Sequence, residues 1–251
     1  MKSVDYESEK ILSEYLHFHY GSEREINPRG GLPSDYYDYA RRIIKERFLG
    51  DATPGTDLRG LDVGCAVGAS AFEMARHCRE VVALDYSQAF IQAATELQNK
   101  GELTYDFYLE GIIKQRFTAR VDPEIERERV TFSTGDAHDL PSHIGSFDWV
   151  LGANLLCRLH TPDRFLAQLP ALVKPGGILV LNSTFTWMAT HTPEENWIGG
   201  GRDGIRCAAA LHDRLKSDFT LVDQTEMPLL LRETARKYQL TFAHSSKWVR
   251  V

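Results

Sequence analysis

A chain of 251 residues, 43% hydrophobic and 25% charged, carries enough apolar material to bury one full core, which excludes general disorder. Its apolar runs, such as Val81-Val82-Ala83-Leu84, fall far short of the ~18 residues a membrane span needs, and Met1 to Lys10 is charged rather than signal-like, so the expected location is cytoplasmic. With 29 Lys and Arg against 35 Asp and Glu the net charge is −6, and no dense basic run exists to displace counterions, so neither nucleic acid nor membrane is an expected partner.

Apolar residues at Ile11, Leu12, Tyr15, Leu16, Phe18 and Tyr20 predict a helix over 6–20, with Gly21 as its stop. Asn27 to Pro33 is a loop by its glycines and prolines, and Ser34 with Asp35 can cap a second helix running to about Phe48. Asp51–Thr56 reads as a linker. Residues 1–56 are thus expected as a helical cap or lid, and 57–251 as the main domain.

From Leu58 short β-type runs alternate with helical ones, the pattern of a mostly parallel sheet with helices on both faces. Strands are expected near Gly60–Val63, Glu80–Asp85, Val130–Thr134, Trp149–Ala153 and Ile178–Ser183. The helices between them are expected near Ser70–His77, Gln88–Lys100 and Asp163–Val173, the last closed by Lys174-Pro175-Gly176-Gly177. Residues 101–129 exceed a normal connection and imply either an insertion with its own structure or a surface excursion. Thr220–Leu231 and Leu240–Val251, joined by the short charged link Arg232–Lys237, predict an antiparallel hairpin. The four cysteines, Cys65, Cys78, Cys157 and Cys207, form no C-x-x-C pair or His-adjacent cluster; they are expected in the core, with no metal.

Leu61-Asp62-Val63-Gly64-Cys65-Ala66-Val67-Gly68 is a strand running into a small-residue turn that lets a ligand approach the backbone. A dinucleotide fingerprint needs glycine at 64, 66 and 69, and only Gly64 is present, which disfavours NAD. The pattern D-x-G-x-G-x-G of the class I S-adenosylmethionine (SAM) methyltransferases finds Asp62, Gly64 and Gly68, with Ala66 as a small substitute, and the segment resembles that family. Asp85, ending a second strand 21 residues after Gly64, suits a ribose diol. Asp136 and Ala137 in Thr134-Gly135-Asp136-Ala137 match the family position that receives the adenine amino group. Phe147 to Asn154 resembles the fourth strand, followed by Leu155 and Leu156, and Lys174-Pro175-Gly176-Gly177 the turn before the fifth.

This resemblance implies a Rossmann-like α/β fold: a seven-stranded, mostly parallel sheet, helices on both faces, a C-terminal antiparallel hairpin and an N-terminal cap. It implies SAM as cofactor, S-adenosylhomocysteine as product, and cofactor contacts from Asp62, Gly64, Ala66, Gly68, Asp85, Tyr86, Ser87, Asp136, Ala137, Asn154 and Leu155. For Asp62 two readings stand, a contact to the cofactor's amine or a purely structural bond to the loop. Asp148, just before its strand, reads as solvated or capping.

A narrower resemblance lies in Phe18-His19-Tyr20-Gly21, Glu194-Glu195-Asn196-Trp197 and Met227–Gln239, which look like the methyltransferase of ovothiol biosynthesis. It implies 5-thiohistidine as acceptor, methylated on the imidazole nitrogen nearer the side chain, and functional pairing with a thiohistidine synthase. No synthase sequence precedes the domain, so the stand-alone form is expected. Candidate bases are His19, Tyr20 and Glu233. Candidate acceptor contacts are Asn154, Asn182, Trp187, Trp197 and Arg232, the last either as a fork on a substrate carboxylate or in an ion pair with Glu233 or Glu226.

Overall fold

The computed structural model describes residues 5–49, 57–201 and 204–251; the expected linker Asp51–Thr56 lies outside them. Helix α1, Glu9–Tyr20, starts where the Ser8 side chain accepts the Ile11 amide and stops at Gly21. A short α2, Glu23–Ile26, carries a capping box between Ser22 and Glu25. The expected second helix is broken: a 3₁₀ turn at Ser34–Tyr36, then α3 at Tyr39–Ile43, which widens into a π-helical stretch over Ile44–Leu49.

The main domain alternates β1 (Leu58–Val63), α4 (Ala69–Ala75), β2 (Cys78–Asp85) and α5 (Gln88–Lys100). After a hairpin of β3 (Glu102–Glu110) and β4 (Ile113–Arg120) come β5 (Val130–Thr134) and β6 (Phe147–Ala153). Next follow α6 (Pro162–Leu166), α7 (Leu169–Leu172) and β7 (Val173–Ser183). Helix α8 (Cys207–Leu215) precedes the final pair, β8 (Phe219–Arg232) and β9 (Tyr238–Arg250). The seven-stranded sheet runs β5-β2-β1-β6-β7-β9-β8. The first five of these strands are parallel, whereas β9 is antiparallel to both neighbours.

Successive residues of one strand feed different cores, as the two-residue period requires. Trp149, Leu151 and Val180 join the core under α1, α3, α4 and α5, while Val150, Leu179 and Leu181 join the one under α6, α7 and α8. The helix expected over 163–173 is interrupted, with Pro170 inside the first turn of its second piece, and it ends at Leu172. Lys174 to Gly177 is not a helix cap but an irregularity within β7, where Gly176 takes φ +75°.

The 101–129 segment has its own structure. Tyr105, Phe107 and Phe117 of the β3–β4 hairpin receive His17 of α1, which stacks on Phe107 with ring centroids 4.3 Å apart. The hairpin also holds the β8–β9 turn, since the Ala235 amide donates to the Leu109 carbonyl at 2.9 Å. Among the described residues no helix is long and apolar enough to cross a membrane.

Candidate functional site

The sheet order reverses at β1, which pairs with β2 on one side and β6 on the other, and connections on the two sides leave a crevice at the strands' carboxyl ends. A cavity of about 970 Å³ occupies that crevice. Gly64, Cys65 and Ala66 after β1, Asp85, Tyr86 and Ser87 after β2, Asp136 and Ala137 after β5, and Asn154 and Leu155 after β6 all line it.

The turn after β1 is built for close approach. Gly64 has φ +79°, and a Cβ there would stand 3.1 Å from Leu155 Cδ1. Ala66 sits at φ +48°, a left-handed conformation that an L-residue adopts at a cost. The Ala66 amide donates to Asp85 Oδ2 at 2.9 Å, and the Ser87 amide to Asp85 Oδ1 at the same distance. Burial nonetheless pushes the Asp85 carboxyl above its ordinary pKa, the two amides working against that rise. Ser87 also caps α5 and donates to the Tyr6 carbonyl at 3.2 Å.

Gly68 does not line the cavity. It precedes α4 at φ +88°, where a Cβ would meet Phe132 Cζ at 2.7 Å, so its requirement is packing. Asp62 lies behind the cavity wall, wholly buried, and burial raises its pKa to about 7. Cavity-lining Ser70 donates to its Oδ2 at 2.6 Å, while Oδ1 is buried with no partner. A buried acceptor without a donor is expensive, so the position suits a cationic amine brought to the turn. Asp136 is half exposed and bound to the His138 ring at 2.6 Å. Burial opposes its ionisation, but the His138 amide and ring outweigh that and hold its pKa low.

The N-terminal helices and the β8–β9 pair supply the opposite wall. Tyr15, Phe18 and His19 of α1 recur at helical spacing and line the cavity, as do Tyr39 of α3 and Leu229, Leu231, Gln239 and Thr241 of the β8–β9 pair. Burial lowers the His19 pKa to about 3, so the ring is neutral at neutral pH. Asn154, at φ +53°, and Asn182 both donate to the Tyr39 hydroxyl, at 3.4 and 3.0 Å. Asn182, fully buried and bound also by Ser245, stands behind Tyr39 rather than on the cavity wall.

Five further expectations are corrected by the geometry. Tyr20, one residue beyond the cavity face of α1, donates to the Val67 carbonyl at 2.8 Å and lines a separate small groove. Arg232 does not line the cavity and meets no carboxylate among the described residues: it donates to the carbonyls of Glu25 at 2.6 Å and Thr234 at 3.1 Å, over the ring of Phe107. Strand alternation explains this, because Leu229 and Leu231 face the cavity and Leu230 and Arg232 the other side. Glu233 pairs with Lys237 at 2.6 Å and accepts from Gln239 at 2.7 Å, away from the cavity wall. Trp187 and Trp197 stack on each other, centroids 6.3 Å apart, and donate to Cys207 and the Thr192 carbonyl, so they pack rather than line.

Sequence reasoning missed Tyr39 and Arg158, both cavity-lining. Arg158 follows β6 in a 3₁₀ turn, Leu156–Arg158, and its only signal in the sequence is a lone cation soon after Asn154.

Residues 61–181 match the model of the methyltransferase domain family. The chain is 27% identical over 166 residues to a ubiquinone biosynthesis O-methyltransferase of Maricaulis maris, covering 64% of this chain and 56% of the relative. It is 30% identical over 134 residues to a magnesium-protoporphyrin O-methyltransferase of Rhodobacter capsulatus, covering 53% and 47%. The chain thus spans about half the length of the curated relatives it matches. Among solved structures, a SAM-dependent methyltransferase from Aquifex aeolicus superposes with a TM-score of 0.56 at 13% identity, over 99% of this chain and 100% of the other. The N-methyltransferase NodS of Bradyrhizobium japonicum, solved with S-adenosylhomocysteine, gives 0.55 at 14% identity, over 95% and 98%. These two likenesses concern the fold, and the match over residues 61–181 shows a methyltransferase domain in that part of the chain.

Proposed function

We propose that this chain is a SAM-dependent small-molecule N-methyltransferase whose acceptor is 5-thiohistidine, the product of a thiohistidine synthase. The observation that carries the methyl-transfer reading is one cavity that joins the glycine turn and Asp85 to aromatic residues of the N-terminal helices. At about 970 Å³ it lies at the upper end of ordinary ligand sites, which favours a cofactor and a small acceptor together. The narrower acceptor rests on the resemblance of the 18–21, 194–197 and 227–239 segments to the ovothiol enzyme. The O-methyltransferase relatives favour, as a second reading, a small acceptor that presents a hydroxyl.

When bound, the cofactor supplies a methyl group activated by its sulfonium. Asp85 would accept hydrogen bonds from the ribose diol, the 64–66 turn would let the cofactor lie against its main chain, and Asp62 with Ser70 would attract the amine. Residues 1–56 act as the cap: Tyr15, Phe18 and Tyr39 exclude water and hold the acceptor in line, which is the chief source of acceleration in such a transfer. Of the three candidate bases only His19 lines the cavity. Neutral and buried, it can accept a hydrogen bond from the acceptor's ring N–H and so orient the ring, while a pKa of about 3 makes it too weak a base to keep the proton.

The test is a mass-spectrometric assay of purified protein with SAM and, in separate tubes, 5-thiohistidine, histidine and hydroxyl-bearing acceptors. A gain of one methyl on thiohistidine alone is the expected result. Methylation of a hydroxyl acceptor in its place overturns the acceptor assignment.

A further inference from the structure

The cavity wall is acidic. Asp5, Glu7, Asp85 and Asp136 line it, and among the described residues Arg158 is its only lysine or arginine. Arg158 is half-buried and makes no ion pair with any described residue. Its Nη1 donates to the carbonyls of Cys157 at 3.0 Å and Thr186 at 3.2 Å, and the Tyr6 and Tyr15 hydroxyls lie close enough to act on its charge. By contrast Arg41, Arg42, Arg47, Arg59 and Arg76 each meet a carboxylate. Arg127, likewise half-buried without a carboxylate, donates to the Gln98 carbonyl, and the buried Arg232 is consumed by two carbonyls and a ring; neither lines the cavity.

A half-buried guanidinium whose partners are all neutral keeps donors that an anion in the cavity can take, and its planar fork matches a carboxylate. Its position selects which anion. Arg158 follows β6 and contacts the loop after β7, whereas the glycine turn, Asp85 and Asp136 occupy the β1, β2 and β5 half of the crevice. We propose that Arg158 binds the carboxylate of the acceptor and thereby restricts the enzyme to acceptors that carry an acid group. The inference rests on the reading of this cavity as the methyl-transfer site, and it gives Arg158 the recognition role that the sequence suggested for Arg232.

The experiment titrates protein loaded with S-adenosylhomocysteine with 5-thiohistidine and with its carboxamide, for the wild type and for Arg158→Gln. The wild type should bind the acid about tenfold or more tightly than the amide, as a charge-assisted pair provides. In Arg158→Gln that preference should vanish while affinity for S-adenosylhomocysteine stays within about twofold. If Arg158→Gln does not fold, Arg158→Lys, which keeps the charge and loses the fork, should show a reduced preference. Equal binding of acid and amide by the wild type overturns the assignment of Arg158 alone. So does a variant that keeps the preference and loses S-adenosylhomocysteine, which would place the cofactor's own carboxylate on Arg158. Tight acid binding without turnover, when SAM replaces S-adenosylhomocysteine, contradicts the methyl-transfer reading alone; binding of neither compound overturns both.

Discussion

Ser70 donates its hydroxyl to Asp62 Oδ2 at 2.6 Å and leaves Oδ1 of the same buried carboxyl without a donor. The pair sits under the glycine turn, so a carboxyl that opposes folding is retained where a ligand would use it. Its folded pKa of about 7 lies above the unfolded value of 3.8, so the folded state is disfavoured progressively as pH rises through that window. Asp62→Asn keeps the acceptor for Ser70 and cannot ionise. It should be more stable than the wild type above pH 7, by on the order of 1–3 kcal/mol, with the gain disappearing below pH 4. Its SAM affinity should fall about tenfold or more. Thermal unfolding at pH 8 and pH 4, beside a binding titration, checks both halves.

Ala66 occupies the position where the D-x-G-x-G-x-G pattern has glycine, and its φ of +48° is the reason glycine suits it. Ala66→Gly should relieve the left-handed strain without disturbing the amide bond to Asp85. The expected result is a denaturation midpoint at or above the wild type, by up to about 1 kcal/mol, measured by urea unfolding. A loss of more than about 1 kcal/mol would contradict the strain.

His17 is fully buried between Phe107, the Tyr105 hydroxyl at 2.9 Å and the Glu25 carbonyl at 3.1 Å. Burial lowers its pKa from 6.5 to about 4. The unfolded chain therefore takes up this proton first as pH falls, so stability is full above pH 6.5 and declines towards pH 4. His17→Gln should be less stable at pH 7.5, yet its stability should fall less steeply between pH 6.5 and 4. Parallel curves for the two proteins would show that His17 does not titrate in that window.

Arg232 ties β8 to α2 through the Glu25 carbonyl. Arg232→Gln should cost about 1–3 kcal/mol of stability by leaving buried carbonyls short of donors, with acceptor KM unchanged at a temperature where the variant is folded. A raised KM with unchanged stability would return Arg232 to substrate binding.

Much of the fold was legible because its signals are local. The run Val81–Leu84 ending in Asp85, and the small residues of the turn after Val63, define β1, β2 and the crevice without reference to distant parts. The break in the expected 163–173 helix falls at Pro170, whose ring and missing N–H fit the first turn of a new helix and not the interior of a continuous one. Helix α8 carries little signal because Cys207–Leu215 is short and buries only Ala210, Leu211 and Leu215. The acceptor side was harder. Whether Leu231 or Arg232 meets the cavity depends on strand parity, and whether His19 or Tyr20 does depends on about 100° of helix rotation. Trp187 and Trp197 lie outside helix and strand periodicity altogether; tertiary packing alone decides that they stack on each other. Arg158 could not be singled out, since its distinction is the lack of a carboxylate partner in three dimensions.

Every role assigned to the cavity follows from its being a SAM site organised by Asp85. Calorimetric titration of the wild type with S-adenosylhomocysteine should give one site per chain, and Asp85→Ala, held at a temperature where it stays folded, should bind at least about tenfold more weakly. No binding by the wild type, or equal binding by the variant, would contradict it.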